Sequence, residues 1–156
     1  MKDAADDMNH FRRHHLGRGL ARAHWTFASQ FESRIRAAGF DDFRPADVQI
    51  IARLPTGSGA RITELAARAH ITKQAVGKLV NGLEARGYVT RHKDPADGRA
   101  TQVALSPRGE GLLLAAQDVI AKIEAEWAVV LGQTGLETLR DGLLAVSDAL
   151  GPPEYL

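Results

Sequence analysis

Residues 61–106 read RITELAARAHITKQAVGKLVNGLEARGYVTRHKDPADGRATQVALS, and this stretch decides the fold. Its patterns predict, in order, a short helix at 64–69 capped by Thr63, a turn at 70–71, a helix at 73–86, a strand at 88–92, a turn at 94–98 and a strand at 100–105. Gly87 is the residue type that usually follows a helix end. Two helices, a tight turn and a two-stranded tip together outline a winged helix-turn-helix, in which the hairpin is the wing.

The second helix of this stretch, 73–86, has two chemically different faces at about 100° per residue. One face is apolar and holds Val76, Leu79, Val80 and Leu83. The opposite face holds Gln74, Gly77, Lys78 and Asn81. Amide side chains can bond the N6 and N7 edge of adenine, and lysine can bond guanine or a phosphate. Gly77 lets the helix backbone lie close to a groove wall. We therefore expect this helix to read DNA; a solvated surface helix is the alternative.

Two further groups of residues complete the expected DNA contact. Thr72 and Lys73 lie at the N-terminus of the same helix, where free N–H groups and the helix dipole favour phosphate. Arg99 lies on the narrow wing tip, from which an arginine can enter the minor groove. Asp97 would repel phosphate, so we expect it to brace the wing by bonding backbone or an arginine such as Arg99 or Arg91.

The flanking sequence predicts long helices on both sides of this lobe. Residues 1–9 are short and polar and predict disorder. Apolar residues at three- and four-residue steps predict one helix over 10–38, and Pro45 opens a helix to about 54. Ser106 and Pro107 open a helix to about 131, and leucines at three- and four-residue steps predict a last helix to 150. The expected fold is a single domain, 1–156, mainly α with a small β-wing: a lobe at 45–105 between dimerisation helices at 10–38 and 107–150.

The distribution of charge agrees with a nucleic-acid partner. Residues 61–99 carry 8 Lys and Arg against 4 Asp and Glu, while residues 100–156 carry 3 against 8. The positive excess therefore lies on the expected DNA module. The chain has no cysteine, which excludes a thiolate metal site or thiol redox sensing. It has neither an 18-residue apolar run nor a signal-like N-terminus, so we expect a cytoplasmic protein without membrane contact.

The stretch from Ile62 to Leu113 resembles the DNA-binding core of the MarR family of bacterial transcriptional regulators. The residues that carry the resemblance include Gly87-Tyr88-Val89, the wing signature Asp97-Gly98-Arg99, and Leu105-Ser106 at its distance from the wing. The resemblance implies a homodimer that binds a near-palindromic operator on double-stranded DNA, and it favours a repressor. It also implies release by a small, often aromatic or phenolic, ligand. It places Thr72, Lys73, Gln74 and Lys78 in the recognition helix and Arg99 at the wing tip.

Other functions have weaker support in the sequence. For a ligand pocket under the dimer helices, we expect His24, Trp25 and Arg44 to contribute, with core packing of the neighbouring aromatics as the alternative. His10 and His14 have the spacing of a helical metal pair, but no third ligand converges on them in sequence, so we expect neither metal nor cofactor. No glycine-rich phosphate loop or nucleophile motif predicts an enzyme. A helical protein-interaction module and a metal-responsive regulator remain the alternatives.

Overall fold

The computed structural model describes residues 2–94 and 97–151, with only the backbone described for residues 2–6, 98 and 99. Its helices and strands are, in chain order, α1 (Lys2–His14), α2 (Leu16–Ala37), α3 (Val48–Ile51), β1 (Ala60–Arg61), α4 (Ile62–Ala69), α5 (Lys73–Ala85), β2 (Val89–Asp94), β3 (Asp97–Leu105), α6 (Pro107–Leu131) and α7 (Gln133–Leu150). The mainly α fold with a small β-wing is confirmed. No helix in the described part is both long and apolar enough to cross a membrane.

The N-terminal part differs from the prediction in two ways. The prediction of disorder over residues 1–9 is wrong for residues 2–9, which form the first half of α1. This helix has acidic residues near its start and Arg12, Arg13 and His14 in its last turn, an arrangement that suits the helix dipole. The single helix predicted over 10–38 is broken at His15, whose backbone is extended and whose Nδ1 accepts from the N–H of Arg18 at 3.2 Å. Gly17 and Gly19 make continuous helix costly at this point.

Two shorter elements also begin differently from the prediction. The helix expected from Pro45 to about 54 is a 3-10 turn, Pro45–Asp47, followed by the single turn α3. Helix α4 is not capped by Thr63, which lies inside it. The carboxylate of Glu64 accepts instead from the N–H of Arg61, at 3.1 Å, because the helix starts two residues earlier than predicted.

The core joins the central lobe to the two long helices α2 and α6. The three strands form an antiparallel sheet in the order β1-β3-β2. The most deeply buried side chains come from α2, α3, α4, α5, the sheet and α6; they are Ile35, Ile50, Leu65, Val76, Val80, Leu83, Tyr88, Val89, Val103, Leu112 and Ile123. This packing fixes α5 on the lobe with one face inward, and it fixes the wing beside α5.

Both ends of the chain leave large apolar side chains in solvent. On α1 and α2 these are Phe11, Leu16, Leu20 and Trp25; on α6 and α7 they are Val129, Val130, Leu131, Leu139, Leu143, Leu144, Val146 and Leu150. Isolated exposed leucines are ordinary in soluble domains, whereas concentrations of exposed apolar side chains are typical of contact surfaces.

Candidate nucleic-acid interface

Helix α5 begins at a side-chain cap and buries one face. The hydroxyl of Thr72 accepts from the N–H of Ala75 at 3.1 Å, which confirms the predicted N-cap. Val76, Val80 and Leu83 are fully buried against the core. The predicted apolar face is therefore the inward face, and the helix can present only its other side to a partner.

The outward face of α5 carries the polar residues that the sequence selected. Thr72, Lys73, Gln74, Lys78 and Asn81 are all exposed. Gly77 lies among them, and beyond its chain neighbours and the nearby backbone of α5 a methyl group built on it would meet no atom within 4 Å among the described residues. The face thus offers two amides and two ammonium groups around a stretch of bare backbone. These are groups that bond base edges and phosphates.

The wing is an antiparallel hairpin whose pairing is regular up to Lys93. Strands β2 and β3 pair antiparallel from Val89 opposite Leu105 to Lys93 opposite Thr101, with an irregularity at Asp94. β2 ends two residues later than predicted and β3 begins three residues earlier. Pro95 and Ala96, between the two strands, lie outside the described residues. Arg99 lies in β3, but its side chain also lies outside what the structure describes, so its predicted minor-groove contact stays a prediction.

The base of the wing is tied to the start of α4 by an ion pair that the sequence analysis missed. Arg61 bonds the carboxylate of Asp94, with its Nε at 2.6 Å and its Nη2 at 2.5 Å. Asp94 is only 4% exposed. The hydrogen bond to Asp94, together with the charge of that carboxylate, raises the pKa of Arg61. The two residues are 33 positions apart, so no local pattern could have paired them.

The predicted brace, Asp97, lies beside this pair. Its Oδ2 is 3.8 Å from Nη2 of Arg61, an arginine other than the two proposed for it. Arg91, the other predicted wing support, joins β2 to α5. Its Nη2 donates to Oδ1 of Asn81 at 2.6 Å, and its Nη1 is 2.9 Å from the carboxylate of Glu84. The amide of Asn81 is therefore held in a fixed direction from the wing side.

A second region of interest is a cavity of about 650 Å³ between α2, residues 43–48 and α6. Its lining includes His24 and Trp25, as predicted, with Phe27, Phe31, Glu32, Phe43, Pro45, Val48 and Ile120. Arg44 is not among the lining residues: it is exposed, its N–H donates to Asp47, and its predicted ligand contact stays a prediction. A smaller apolar cavity of about 470 Å³ shares Phe31, Phe43, Val48 and Ile120 with the first. Such volumes are typical of small-molecule sites.

His10 and His14, which have the spacing of a helical metal pair, lie close to each other. The rings of His10 and His14 have centroids 4.4 Å apart on α1. Among the residues the structure describes, no group of three or more His, Asp or Glu side chains could hold a metal ion.

Comparison with known proteins shows what this lobe is similar to. The sequence model of the MarR family matches residues 42–100, which span the central lobe and most of the wing. A probable transcriptional regulator from Pseudomonas aeruginosa, of known crystal structure, superposes with a TM-score of 0.64 at 27% identity over 84% of this chain and 95% of its own. The central lobe therefore matches the MarR family, and the chain as a whole is similar to solved transcriptional regulators.

Other solved structures repeat the likeness over nearly the whole chain. A transcriptional regulator from Thermotoga maritima superposes with a TM-score of 0.58 at 25% identity, covering 86% of this chain and 92% of its own. The transcriptional repressor CouR, solved bound to a 23-mer DNA duplex, superposes with a TM-score of 0.70 at 24% identity over 93% of this chain and 97% of its own, and shows the shared fold. A comparison with curated protein sequences gave no match. The fold shared with these regulators therefore includes the flanking helices as well as the lobe.

Proposed function

We propose that this protein is a homodimeric, sequence-specific DNA-binding repressor of a near-palindromic operator. The observation that carries the proposal is the outward face of α5, with exposed amides and cations around the open backbone of Gly77, beside the wing. Two MarR-fold structures support it: CouR bound to a 23-mer DNA duplex, and a mutant of MepR from S. aureus bound to an oligodeoxyribonucleotide.

Each exposed residue of α5 has a chemical role in this proposal. Gln74 and Asn81 bond adenine edges in the major groove, and Lys78 bonds guanine or a phosphate. Asn81 can do so while Arg91 holds its oxygen, because a carbonyl oxygen has two lone pairs. Thr72 and Lys73 meet a phosphate at the helix N-terminus. Arg99 enters the minor groove from the wing.

The dimer is proposed from the exposed apolar surface at the two chain ends. Leu143 and Val146 on α7, and Leu16 on α2, are about half exposed or more, so the single chain does not cover them. A second copy related by a two-fold axis would bury them and set two recognition helices about one DNA turn apart, roughly 34 Å. Sedimentation at micromolar concentration tests this, and a monomer would remove the basis for a palindromic operator.

An effector site is proposed at the 650 Å³ cavity. Its lining is mostly aromatic and aliphatic, and His24 and Glu32 supply polar groups that can orient a small organic ligand. Titration with salicylate, a small aromatic anion, should raise the melting temperature and weaken DNA binding if the site is an effector site. If neither quantity changes with salicylate or a panel of related aromatic acids, this part of the proposal fails.

The decisive experiment for DNA recognition is selection of binding sites from a random DNA pool. A two-fold symmetric consensus is expected, and binding to it should weaken steeply with salt because phosphate contacts release counterions. Gln74→Ala should change preference at particular base positions, while Arg99→Ala should weaken binding across sequences. If the pool yields no consensus, the lobe does not read sequence. Salt-insensitive capture of a protein instead would favour an interaction module.

A further inference from the structure

The C-terminal end of the recognition helix is held by a buried ion pair. Arg86 follows α5 directly, and its side chain is 15% exposed. Its Nη1 donates to Oδ2 of Asp47 at 2.6 Å and its Nη2 to Oδ1 at 2.9 Å. The same guanidinium donates to the carbonyls of Asp42, at 2.7 Å, and Gly82, at 2.8 Å. Four bonds in one plane fix both the position and the rotation of the side chain.

The partner carboxylate is equally constrained. Asp47 is 2% exposed and ends the 3-10 turn, where it also accepts from the N–H of Arg44 at 2.9 Å. The hydrogen bond to Asp47 raises the pKa of Arg86. Throughout the described residues, every buried side-chain nitrogen and oxygen has a hydrogen-bond partner. The pair is therefore fully satisfied, which a buried ion pair requires to be tolerated.

A second set of bonds ties the same helix end to α6. Arg108, in the first turn of α6, donates to the carbonyl of Arg86 at 2.5 Å and to the carboxylate of Asp42 at 3.1 and 3.2 Å. Its guanidinium lies 4.5 Å from the ring centre of Tyr88, and the Tyr88 hydroxyl donates to Asp42 at 2.5 Å. Burial, with the bond to Asp42, raises the pKa of Tyr88. The end of α5 is thus joined to the 42–47 segment and to a long helix.

These polar contacts restrict the orientation of α5 more strictly than the apolar core does. Val76, Val80 and Leu83 bury the inner face of α5, but apolar packing is not directional, and it leaves small rotations of a helix inexpensive. A bidentate ion pair is directional. Its net contribution to stability is often no greater than that of an apolar pair of similar volume. Its specific contribution here is orientation.

We propose that Asp47 and Arg86 are positioning residues that set the orientation of the recognition helix, and through it the half-site spacing that the dimer accepts on DNA. The inference rests on the proposed function, because spacing has meaning only for a dimer on a two-part operator. Inserting or removing one base pair between half-sites rotates them by about 34° and moves them by about 3.4 Å. A rigidly held helix tolerates neither change, while a loosely held one adapts to both.

The test compares variants that keep the fold but lose the bidentate ion pair between Arg86 and Asp47. Arg86→Lys keeps the charge, Asp47→Asn keeps the shape, and the double change Asp47→Leu with Arg86→Met fills the site with apolar groups. Arg34→Met is the control, since Arg34 forms a partly exposed ion pair with Glu126 that joins α2 to α6. Each variant is checked by circular dichroism and thermal denaturation. Its affinity is then measured on the selected operator and on versions one base pair shorter and longer.

The wild-type protein and Arg34→Met should prefer one spacing by about tenfold or more. The folded variants at 47 and 86 should prefer it by less than about threefold, with the salt dependence unchanged because no phosphate contact is lost. If any folded variant keeps the wild-type preference of about tenfold or more for one spacing, the pair is structural only and the inference is overturned. If the wild-type protein selects no operator, the proposed function itself fails, and the inference fails with it.

Discussion

The change Gly77→Ala separates the stability of the recognition helix from its fit to DNA. Gly77 lies in the interior of α5, and in the free protein an added methyl group meets nothing within 4 Å among the described residues beyond its chain neighbours and the nearby backbone of α5. Replacing glycine by alanine inside a helix stabilises it by roughly 0.5–1 kcal/mol. For a domain of this size, that gain raises the melting temperature by about 1–4 °C. The free protein should therefore become more stable.

DNA binding should change in the opposite direction. If the backbone of Gly77 lies against a groove wall, the methyl group either displaces the helix or overpacks the contact, at a cost of about 1–3 kcal/mol. That cost corresponds to an affinity about 5–150-fold weaker. The measurement is fluorescence anisotropy of a labelled operator, beside thermal denaturation of the same preparation.

The matched control is Gly111→Ala, in helix α6. A methyl group on Gly111 would contact only the ring of Phe40, at 3.9 Å, which is an ordinary van der Waals distance. The control should therefore gain similar stability and bind DNA as the wild-type protein does. If Gly77→Ala and Gly111→Ala bind the operator equally well, the backbone of α5 does not approach DNA at Gly77, and that orientation of the recognition helix is wrong.

Three further changes test the wing, the pH response and the dimer. Arg61→Ala should lower both the melting temperature and the affinity for DNA, because Asp94 then stays buried without the cation it bonds; Arg61→Lys should restore part of each. The bond from Tyr88 lowers the pKa of Asp42, so Asp42 stabilises the fold above its ordinary pKa and this contribution is lost as the pH falls through the folded-state value. Asp42→Asn should accordingly flatten the dependence of unfolding free energy on pH in the acid range, and an unchanged slope would assign the effect to other carboxylates. Leu143→Glu should give a monomer in sedimentation, whereas a persisting dimer would place the interface away from α7.

The parts of the fold that the sequence predicted well are those with local signals. Helix α6 was predicted over 107–131 and is found there, because Ser106 caps it, Pro107 suits its first turn and Gly132 ends it. Helix α5 was predicted within one residue for the same reason, with Thr72 as its cap and Gly87 in a left-handed conformation after it. Caps and terminators act within four residues, so a single sequence contains them.

The features that the sequence did not predict depend on the surrounding structure or on partners far away in the chain. Composition indicated disorder over residues 1–9, but a polar stretch that continues into a helix can be helical when its charges suit the helix dipole. The pairs Arg61 with Asp94 and Arg86 with Asp47 join residues 33 and 39 positions apart. With 20 Lys and Arg and 19 Asp and Glu in the chain, no charge pattern selects these pairs before the fold does.

Segment 42–48 connects two proposals that were argued from different residues. Asp42 and Asp47 bond the end of the recognition helix. The residues between and beside them, Phe43, Pro45 and Val48, line the larger cavity. Because these residues share one short backbone, we expect a ligand that displaces the backbone at Phe43 to move the carbonyl and carboxylate that Arg86 bonds as well. The cavity and the recognition helix therefore need no long pathway between them. In the proposed repressor, a bound ligand would displace segment 42–48, and α5 would move with it through the ion pair between Asp47 and Arg86. This movement would release the DNA.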